Sequence, residues 1–276
     1  MNYIYFHSGE LPNYLKYSID SIIKNDPESK IYIICDDIFK YKNIKSIQIK
    51  NLNNSLINEI KSLNYYTNWN SNPLWESSLL RIFYLYEAAK TEYIDQFVHF
   101  DSDVILFEPF SEIKSLFNEN FNITPLTNNF LVFGYSFIGS LDVYRKICEA
   151  VLNVYRNNQY YENKYYEGKK IIEMKALYIA YKENPELFNL LPVHPEDSNK
   201  YVFDPASYGQ YIAGVHNKKF SRGFTDASHL LGKDLKDKVL SLSIKKNSKI
   251  VKFKNFDYKL INLHVHSKKL KKYFNF

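Results

Sequence analysis

Apolar segments of strand length alternate with helical patterns over the first hundred residues. Runs of apolar residues predict strands, and apolar residues at helical spacing, such as Leu15, Ile19 and Ile22, predict helices. The predicted strands are Tyr3–Phe6, Lys30–Cys35, Lys45–Ile49, Gln96–Phe100 and an extended Val104–Phe107, and the predicted helices are Asn13–Lys24 and Ser77–Lys90, the latter capped by Ser77 or Ser78. Strands that alternate with helices predict an α/β fold with a mostly parallel sheet and crossover helices.

The second half of the chain is less regular. Its patterns predict strands at Phe130–Phe133, Ser136–Ile138, Ile250–Phe253 and Leu260–His266, helices at Leu141–Tyr155 and Ile171–Tyr181, and a polar, tyrosine-rich loop at Asn157–Lys170. Prolines 185, 192, 195 and 205 indicate an irregular stretch. Because no repeat, low-complexity linker or sharp boundary interrupts the pattern, we expect a single domain over residues 1–276.

The composition is that of an ordinary globular protein. Of the 276 residues, 45% are hydrophobic and 24% are charged, which excludes bulk disorder. No apolar stretch is long enough to cross a membrane, and the N-terminal residues have no basic segment followed by an apolar run, so we expect neither a membrane span nor a secretory signal. Cys35 and Cys148 lie in apolar contexts, which favours a reducing, cytoplasmic location over a disulfide framework.

Positive charge is concentrated near the C-terminus. The formal net charge is +6, and residues 231–276 alone carry 13 Lys against 3 Asp. Such a segment suits nucleic acid, an anionic membrane surface or a phosphorylated small molecule, unless it is simply a solvated face. Because no zinc-finger, helix-turn-helix or RNA-binding pattern is present, we expect no nucleic-acid partner. The basic, aromatic tail at 267–276 is compatible with peripheral contact at the inner face of a membrane.

Two carboxylates follow the strand predicted at Gln96–Phe100. Asp101 and Asp103, separated by Ser102, would lie at the C-terminal end of that strand, where parallel α/β sheets bind their ligands. Two acids at this spacing can share one hard divalent cation, which can bridge the oxygens of a diphosphate. The alternative is an acidic turn without a ligand, since aspartate is common in turns.

A second group of polar side chains lies near the end of the chain. If the segment around His264 and His266 is extended, both imidazoles face the same side, and either could be a third protein ligand to the metal. Lys268, just beyond, could reach a phosphate as a point charge. The alternative is a pair of ordinary surface histidines beside a basic tail.

These two motifs together resemble the metal-dependent glycosyltransferases of the A fold, which include glycogenin-type enzymes and bacterial lipopolysaccharide galactosyltransferases. The resemblance implies a Rossmann-like central sheet and a nucleotide-sugar donor, usually a UDP-sugar. It also implies Mn²⁺ or Mg²⁺ held by Asp101, Asp103 and a C-terminal histidine. In that layout, residues 1–107 form the nucleotide-binding half and residues 108–266 the acceptor and catalytic half. The acceptor would be a saccharide, a glycan or a lipid-linked sugar.

The resemblance also implies roles for residues outside the two motifs. The first-strand turn, His7–Gly9 with Ser8 at its centre, would frame the nucleotide, together with Asp36 at the end of the second strand. Asp101 and Ser102 would lie near the ribose. Arg81, on the helix before the acidic motif, would bind near the metal-diphosphate. The alternative for Arg81 is a structural salt bridge, such as one to Glu87 or Asp101.

The segment Tyr201–Gly214 is a candidate catalytic region. Two glycines and several polar groups in an apolar frame suggest that the backbone approaches a ligand closely. By the same resemblance, Asp204 would act as a base or sugar ligand, and Gln210 would lie near the anomeric carbon. A structural Asx-Pro turn is the alternative. The tyrosine-rich loop could stack on acceptor sugars.

These residues lead to a hexosyl transfer in which a cation, Lys268 and Arg81 stabilise a departing nucleoside diphosphate. The late histidine is more similar to that of retaining enzymes, so the resemblance favours retention of configuration. Two other functions fit parts of the pattern. A phosphohydrolase of the haloacid-dehalogenase type also has an Asp-x-Asp after a strand, but no acidic pair follows Asp103 here. The second of these functions is that of an inactive module that binds carbohydrate or a membrane surface.

Overall fold

The computed structural model describes residues 1–66, 73–198, 200–215, 226–245 and 248–274. Its strands are β1 (Asn2–His7), β2 (Lys30–Cys35), β3 (Ile44–Gln48), β4 (Phe97–Phe100), β5 (Val104–Leu106), β6 (Phe121–Thr127), β7 (Phe130–Ile138), β8 (Phe188–Leu190), β9 (Tyr201–Val202), β10 (Leu240–Lys245), β11 (Ser248–Phe253), β12 (Phe256–Leu260) and β13 (Asn262–His264). Its α-helices are α1 (Leu15–Asn25), α2 (Ser55–Ser62), α3 (Leu74–Thr91), α4 (Phe110–Ile113), α5 (Leu141–Arg156), α6 (Asn158–Tyr166), α7 (Glu173–Glu183), α8 (Ser207–Ala213), α9 (Gly232–Lys236) and α10 (Lys271–Phe274).

Seven of these strands form a central sheet in the order β3-β2-β1-β4-β7-β6-β8. Strand β7 is antiparallel to both of its neighbours, and every other neighbouring pair in this sheet is parallel. The predicted α/β fold with a mostly parallel sheet is therefore confirmed. Strands β1 and β4 are adjacent and parallel, so the turns that follow them emerge at the same edge of the sheet.

Helices cover both faces of the central sheet. On one face, Ile4 of β1 packs in a core with buried residues of α2, α3, α5 and α7. On the other face, its neighbours Tyr3 and Tyr5 pack with the buried side of α1. This alternation along β1 is the period of two expected of a strand buried on both sides.

Two smaller sheets lie beside the central one. Strands β10, β11, β12 and β9 form a four-stranded sheet, and β13 pairs with β5 in an antiparallel two-stranded sheet. The β13–β5 register places His264 opposite Val104, and the Val265 N–H donates to the carbonyl of Asp103 at 2.8 Å. The late histidine segment is thereby attached to the acidic motif, although about 160 residues separate the two in sequence.

The tyrosine-rich segment predicted as a loop is the helix α6, so that prediction is wrong. Tyr161, Glu162 and Tyr166 are buried on one side of the helix, where tyrosine rings act as its apolar face. The Tyr65 hydroxyl donates to the Glu162 carboxylate at 2.5 Å, which satisfies the buried acid. A pattern that counts tyrosine and glutamate as polar does not reveal this helix.

Other differences are local. Strand β6 is absent from the sequence predictions. It contains Pro125, and its pairing with β7 shifts register around that residue, as a bulge allows. Helix α2 was also missed, although Asn54 caps it by accepting the Ile57 N–H at 2.8 Å. The predicted caps Ser77 and Ser78 are wrong because α3 begins a turn earlier, after Pro73. The strand predicted at Leu260–His266 is divided into β12 and β13, which leaves His266 outside it.

Among the described residues, no helix combines the length and apolar character that a bilayer crossing needs. The assignment of residues 1–107 and 108–266 to two functional halves stays a prediction.

Candidate active site

A cavity of about 940 Å³ opens where the turns after β1 and β4 meet the segment after β13. Many polar or charged side chains line it. They include His7, Ser8, Arg81, Asp101, Ser102, Asp103, Glu173, Gln210, His229, His264, His266 and Lys268. A second cavity, of about 860 Å³, lies beside β3 and is lined by none of the predicted site residues.

The two acids of the mid-chain motif face the same histidine. His264 Nε2 lies 3.2 Å from Asp103 Oδ1 and 3.7 Å from Asp101 Oδ2. The turn between the acids is fixed at both ends, because the Asp101 N–H donates to the carbonyl of Gly134 and the Val104 N–H donates to that of Asp101, each at 3.0 Å. The sequence predicted this meeting of the acids with a late histidine.

Asp103 is almost fully buried and is surrounded by positive groups. Its carboxylate pairs with the Lys268 ammonium on one oxygen and with His264 on the other. Burial would raise the pKa of Asp103, but His264 and Lys268 outweigh it and hold the pKa well below its usual range. Asp103 is therefore a carboxylate throughout the neutral range.

The two histidines differ in their electrostatic setting. Their rings stack with centroids 4.3 Å apart and 15° between planes, which places both on the same side, as predicted. Burial opposes a charge on His264, yet the Asp103 carboxylate raises the pKa of its imidazole. Burial, then the neighbouring His264, lowers the pKa of His266 to about 3.

Several observations test whether these side chains fit a divalent cation. Asp103, His264 and His266 each offer one ligand atom, and the three atoms lie within 4.8 Å of one another. Among the described residues, neither His264 Nδ1 nor His266 Nε2 has a hydrogen-bond partner although both atoms are buried, which is unusual for buried nitrogens. Carboxylate oxygen and imidazole nitrogen are ligand types of Mn²⁺ and related first-row metals. The residues present therefore fit such a cation.

Arg81 joins the acidic motif to a residue that the sequence did not reveal. Its guanidinium pairs with Asp101 and donates to Glu173 Oε1 at 2.9 Å, and its head lies 5.0 Å from the centre of the Phe133 ring. Glu173 lies at the first turn of α7 and is 6% exposed. Burial raises the pKa of this carboxyl to about 7 despite the nearby arginine. A glutamate in the first turn is common in any helix, so it gave no signal.

The residues predicted to frame the nucleotide lie at the sheet edge. His7, Ser8, Gly9 and Ser102 line the cavity, whereas Asp36 does not. Asp36 is exposed beside this turn, where its Oδ2 accepts the Gly9 N–H at 2.6 Å. Gly9 has a φ of +92°, a conformation that favours glycine.

The two predicted catalytic residues lie in different positions. Gln210, on α8, lines the cavity, and its buried Oε1 has no hydrogen-bond partner in the part of the chain that the structure describes. Asp204 is 1% exposed, does not line the cavity and accepts only main-chain hydrogen bonds among its recorded contacts. Burial raises the pKa of Asp204 to about 6. The catalytic role of both residues stays a prediction.

Sequence reasoning also missed the far wall of the cavity. Leu126, Val132 and Ala206 form a small apolar cluster with Phe130 and Met174, and all five residues line the cavity. His229, whose Nδ1 lies 3.0 Å from the Ser207 hydroxyl, also lines it. These residues come from four separate segments, so no local pattern could have grouped them.

No protein-family model matches the chain. No curated protein matches it in sequence. Among solved structures, mouse xyloside xylosyltransferase 1 is similar over 70% of this chain and 86% of its own, at 11% identity and a TM-score of 0.48. The galactosyltransferase LgtC, in complex with donor and acceptor sugar analogues, is similar over 70% and 73%, at 12% identity and a TM-score of 0.44.

A third similar structure is a glycosyltransferase involved in glycosylation of the major capsid of PBCV-1. It is similar over 74% of this chain and 85% of its own, at 12% identity and a TM-score of 0.41. All three structures are glycosyltransferases, the class that the sequence resembles. Each likeness lies below 25% identity and below a TM-score of 0.5.

Proposed function

We propose that the chain is a metal-dependent glycosyltransferase that moves a sugar from a nucleotide-sugar, most simply a UDP-sugar, to a saccharide, glycan or lipid-linked acceptor. One observation carries the proposal: His264 Nε2 lies within 3.2 Å of Asp103 and 3.7 Å of Asp101, at the edge of the sheet where the turns after β1 and β4 line a cavity. Acids and imidazole at this edge suit a cation that binds a diphosphate.

Asp101, Asp103 and His264 would hold Mn²⁺ or Mg²⁺, with His266 in reach. Such a cation, when bound, offsets the negative charge that develops on a departing diphosphate. Lys268 and Arg81 now neutralise the two acids, and both side chains line the cavity. We propose that both side chains also contact the phosphates of the donor. This role would explain why two positive groups lie beside a metal site.

The other side of the cavity suits the sugar. Gln210 Oε1 has no hydrogen-bond partner among the described residues, and Glu173 is a buried carboxyl with a pKa of about 7. Both side chains can therefore hydrogen-bond sugar hydroxyls. We propose these two residues as the polar contacts of the transferred sugar. Retention of configuration rests on the resemblance of the late histidine, and the anomeric proton coupling of the first-formed product, read by NMR, would decide it.

A screen of nucleotide-sugars for Mn²⁺-dependent hydrolysis tests the proposal. Slow cleavage of one donor is expected even without an acceptor, and calorimetry should show UDP binding that needs Mn²⁺ or Mg²⁺. Asp103→Ala should weaken the metal-dependent UDP affinity about 100-fold, because the most buried acid ligand is lost. Asp142→Ala is the matched control, since Asp142 is an exposed acid on α5 outside the cavity.

Two results would contradict the proposal. One is UDP affinity that does not change in the Asp103→Ala variant. The other is rapid turnover of p-nitrophenyl phosphate with Mg²⁺ that Asp101→Asn abolishes, which would favour a phosphohydrolase. Failure of the Asp142→Ala control to bind UDP like the wild type would show that charge alone explains the effect.

We also propose peripheral contact between the basic C-terminal segment and an anionic membrane surface. Lys269, Lys271 and Lys272 are exposed, while Leu270 and Tyr273 anchor the same segment in a core. Flotation with vesicles that contain phosphatidylglycerol should carry the protein upward, and the triple change of these lysines to Gln should prevent it. Equal flotation of both proteins would exclude this surface as the contact.

A further inference from the structure

The carboxylate of Asp204 is fully occupied by main-chain groups. Its Oδ1 accepts the N–H groups of Ala206 and Tyr208 at 2.8 and 3.0 Å, and its Oδ2 accepts those of Gly209 and His264, both at 2.9 Å. A carboxylate has about four lone-pair positions, so these four bonds leave none free for an acceptor hydroxyl.

These bonds join two elements that are far apart in the chain. Ala206, Tyr208 and Gly209 belong to the start of α8, and His264 is the last residue of β13. Gly209 lies so close to the main chain of His264 that a Cβ atom would overlap its carbonyl oxygen. Asn262 adds a second link, since it accepts the Asp204 N–H at 3.1 Å and donates to the Asp204 carbonyl at 3.2 Å.

Each joined element carries a side chain of the cavity. Helix α8 carries Gln210, and β13 carries His264, whose Nε2 faces both acids of the motif. Because the same carboxylate holds the backbone of both elements, it sets the distance between the two side chains. A shift of about 1 Å in such a support is enough to impair a metal or catalytic site.

From this geometry we propose that Asp204 is a positioning residue: its carboxylate fastens the start of α8 to the His264 main chain, and so holds the His264 imidazole against Asp101 and Asp103. The inference rests on the proposed function, because it treats His264 as a metal ligand. The resemblance implied that Asp204 is a base or a sugar ligand. In the present proposal Asp204 acts indirectly, through the position of His264.

The test is Mn²⁺ affinity, measured by electron paramagnetic resonance of the free ion, without any donor or acceptor. Asp204→Asn keeps the size of the side chain but turns an NH₂ group towards two N–H donors. We expect its dissociation constant for Mn²⁺ to rise about 10-fold, the effect of losing a group that orients a ligand. Asn262→Ala, which keeps the carboxylate, should raise it about 3-fold and supplies the test if Asp204→Asn does not fold.

Tyr208→Phe is the matched control. It removes a buried hydrogen bond of the same helix, from the Tyr208 hydroxyl to the Val193 carbonyl at 2.9 Å, and leaves the bonds of Asp204 in place. Its thermal unfolding temperature should fall, while its Mn²⁺ affinity should equal that of the wild type. This contrast separates positioning from a general loss of stability.

Three outcomes would overturn the inference. The first is wild-type Mn²⁺ affinity in Asp204→Asn, or in Asn262→Ala where only that variant folds. The second is an equal loss in Tyr208→Phe, and the third is a kcat lost in Asp204→Asn with no change in Mn²⁺ affinity, which would restore the catalytic base. If the wild-type chain binds no Mn²⁺, or Asp103→Ala binds it equally well, the proposed metal site itself fails.

Discussion

Two buried aspartates contact His264, one at its imidazole and one at its main-chain N–H, and the partners of the two carboxylates differ in kind. Asp103 meets the imidazole Nε2 and the Lys268 ammonium, which are side-chain groups. Asp204 meets the His264 N–H and three N–H groups of α8, which are main-chain groups. The pKa of Asp103 lies below its usual range because its positive neighbours outweigh burial, whereas burial raises that of Asp204 to about 6.

The difference separates a carboxylate with exchangeable partners from one with fixed partners. Side-chain partners such as Lys268 can rotate away, so Asp103 can exchange its ammonium for another cation. Main-chain partners can leave only if α8 or β13 moves, so Asp204 is bound permanently while the fold is intact. Burial alone therefore does not identify a catalytic carboxylate. It also matters whether the hydrogen-bond partners of the carboxylate can move away from it.

The largest expected effects come from two glycines that lie against different parts of His264. A Cβ at Gly209 would overlap the His264 carbonyl, and we expect Gly209→Ala to lower the free energy of unfolding by more than about 3 kcal/mol. A Cβ at Gly134 would lie 2.9 Å from Nδ1 of the ring. Gly134→Ala should cost less stability but weaken Mn²⁺ binding.

Chemical denaturation and Mn²⁺ titration of both glycine variants provide the two measurements. Gly9→Ala is a useful third variant, since its strain comes from a φ of +92° and, apart from its chain neighbours, no atom of the described residues lies within 4 Å of its Cβ position. It should cost about 1 kcal/mol and leave Mn²⁺ affinity unchanged. Equal stability of the Gly209→Ala and Gly134→Ala proteins would show that the two parts of His264 do not differ as described.

Glu173 is a third buried carboxylate to compare with Asp103 and Asp204. Its charged partner in the described part of the chain is Arg81. Its pKa is about 7 in the folded protein against an ordinary value of 4.5, so it binds its proton more tightly when folded. Its contribution to stability is complete below pH 4.5 and is lost as the pH rises through 7. Glu173→Gln should remove this loss, which amounts to about 3 kcal/mol between pH 4.5 and 8.

Urea denaturation at several pH values measures this effect. The slope that remains in the Glu173→Gln protein should come from other groups, Asp204 among them. Glu162→Gln is the matched control, because Glu162 is also a buried glutamate but pairs with Lys170 and Tyr65 instead of Arg81. A wild-type pH profile in Glu173→Gln would mean that its proton is not linked to folding.

The parts of the site that the sequence predicted share one property: each is read from a few neighbouring residues. The acids after β4 follow directly from an apolar strand, and the late histidines are two positions apart in the sequence. The order of strands and helices also sufficed to predict a mostly parallel sheet. Local patterns therefore revealed the side of the cavity that carries the acids and the late histidines.

The parts that the sequence did not predict depend on contacts between distant segments. Glu173 becomes distinctive only because Arg81, 92 positions away, donates to it in a buried place. The role of Asp204 likewise depends on the His264 N–H, 60 positions away. Pro125 concealed a central strand, and buried tyrosines concealed α6, because both residue types usually indicate other settings.

The choice between the two histidines is the next effect in size. His264 Nε2 faces both acids, whereas His266 stacks on the face of the His264 ring. We expect His264→Ala to weaken Mn²⁺ binding about 100-fold and His266→Ala at most about 10-fold. Mn²⁺ titration by electron paramagnetic resonance decides between them, and the reverse order, or no loss in either variant, would refute the assignment of His264 as the third ligand.

The smallest effect tests whether the Lys268 ammonium is the exchangeable partner of Asp103. Lys268→Met removes a positive charge that competes with a metal for this carboxylate, so Mn²⁺ alone should bind about 10-fold more tightly. UDP in the presence of Mn²⁺ should bind more weakly, since the same ammonium is proposed to contact a phosphate. Lys269→Met is the control, because Lys269 is exposed and has no contact with Asp103. Opposite changes for metal and nucleotide are expected of an exchangeable partner alone, because a purely structural ion pair would leave both weaker when broken.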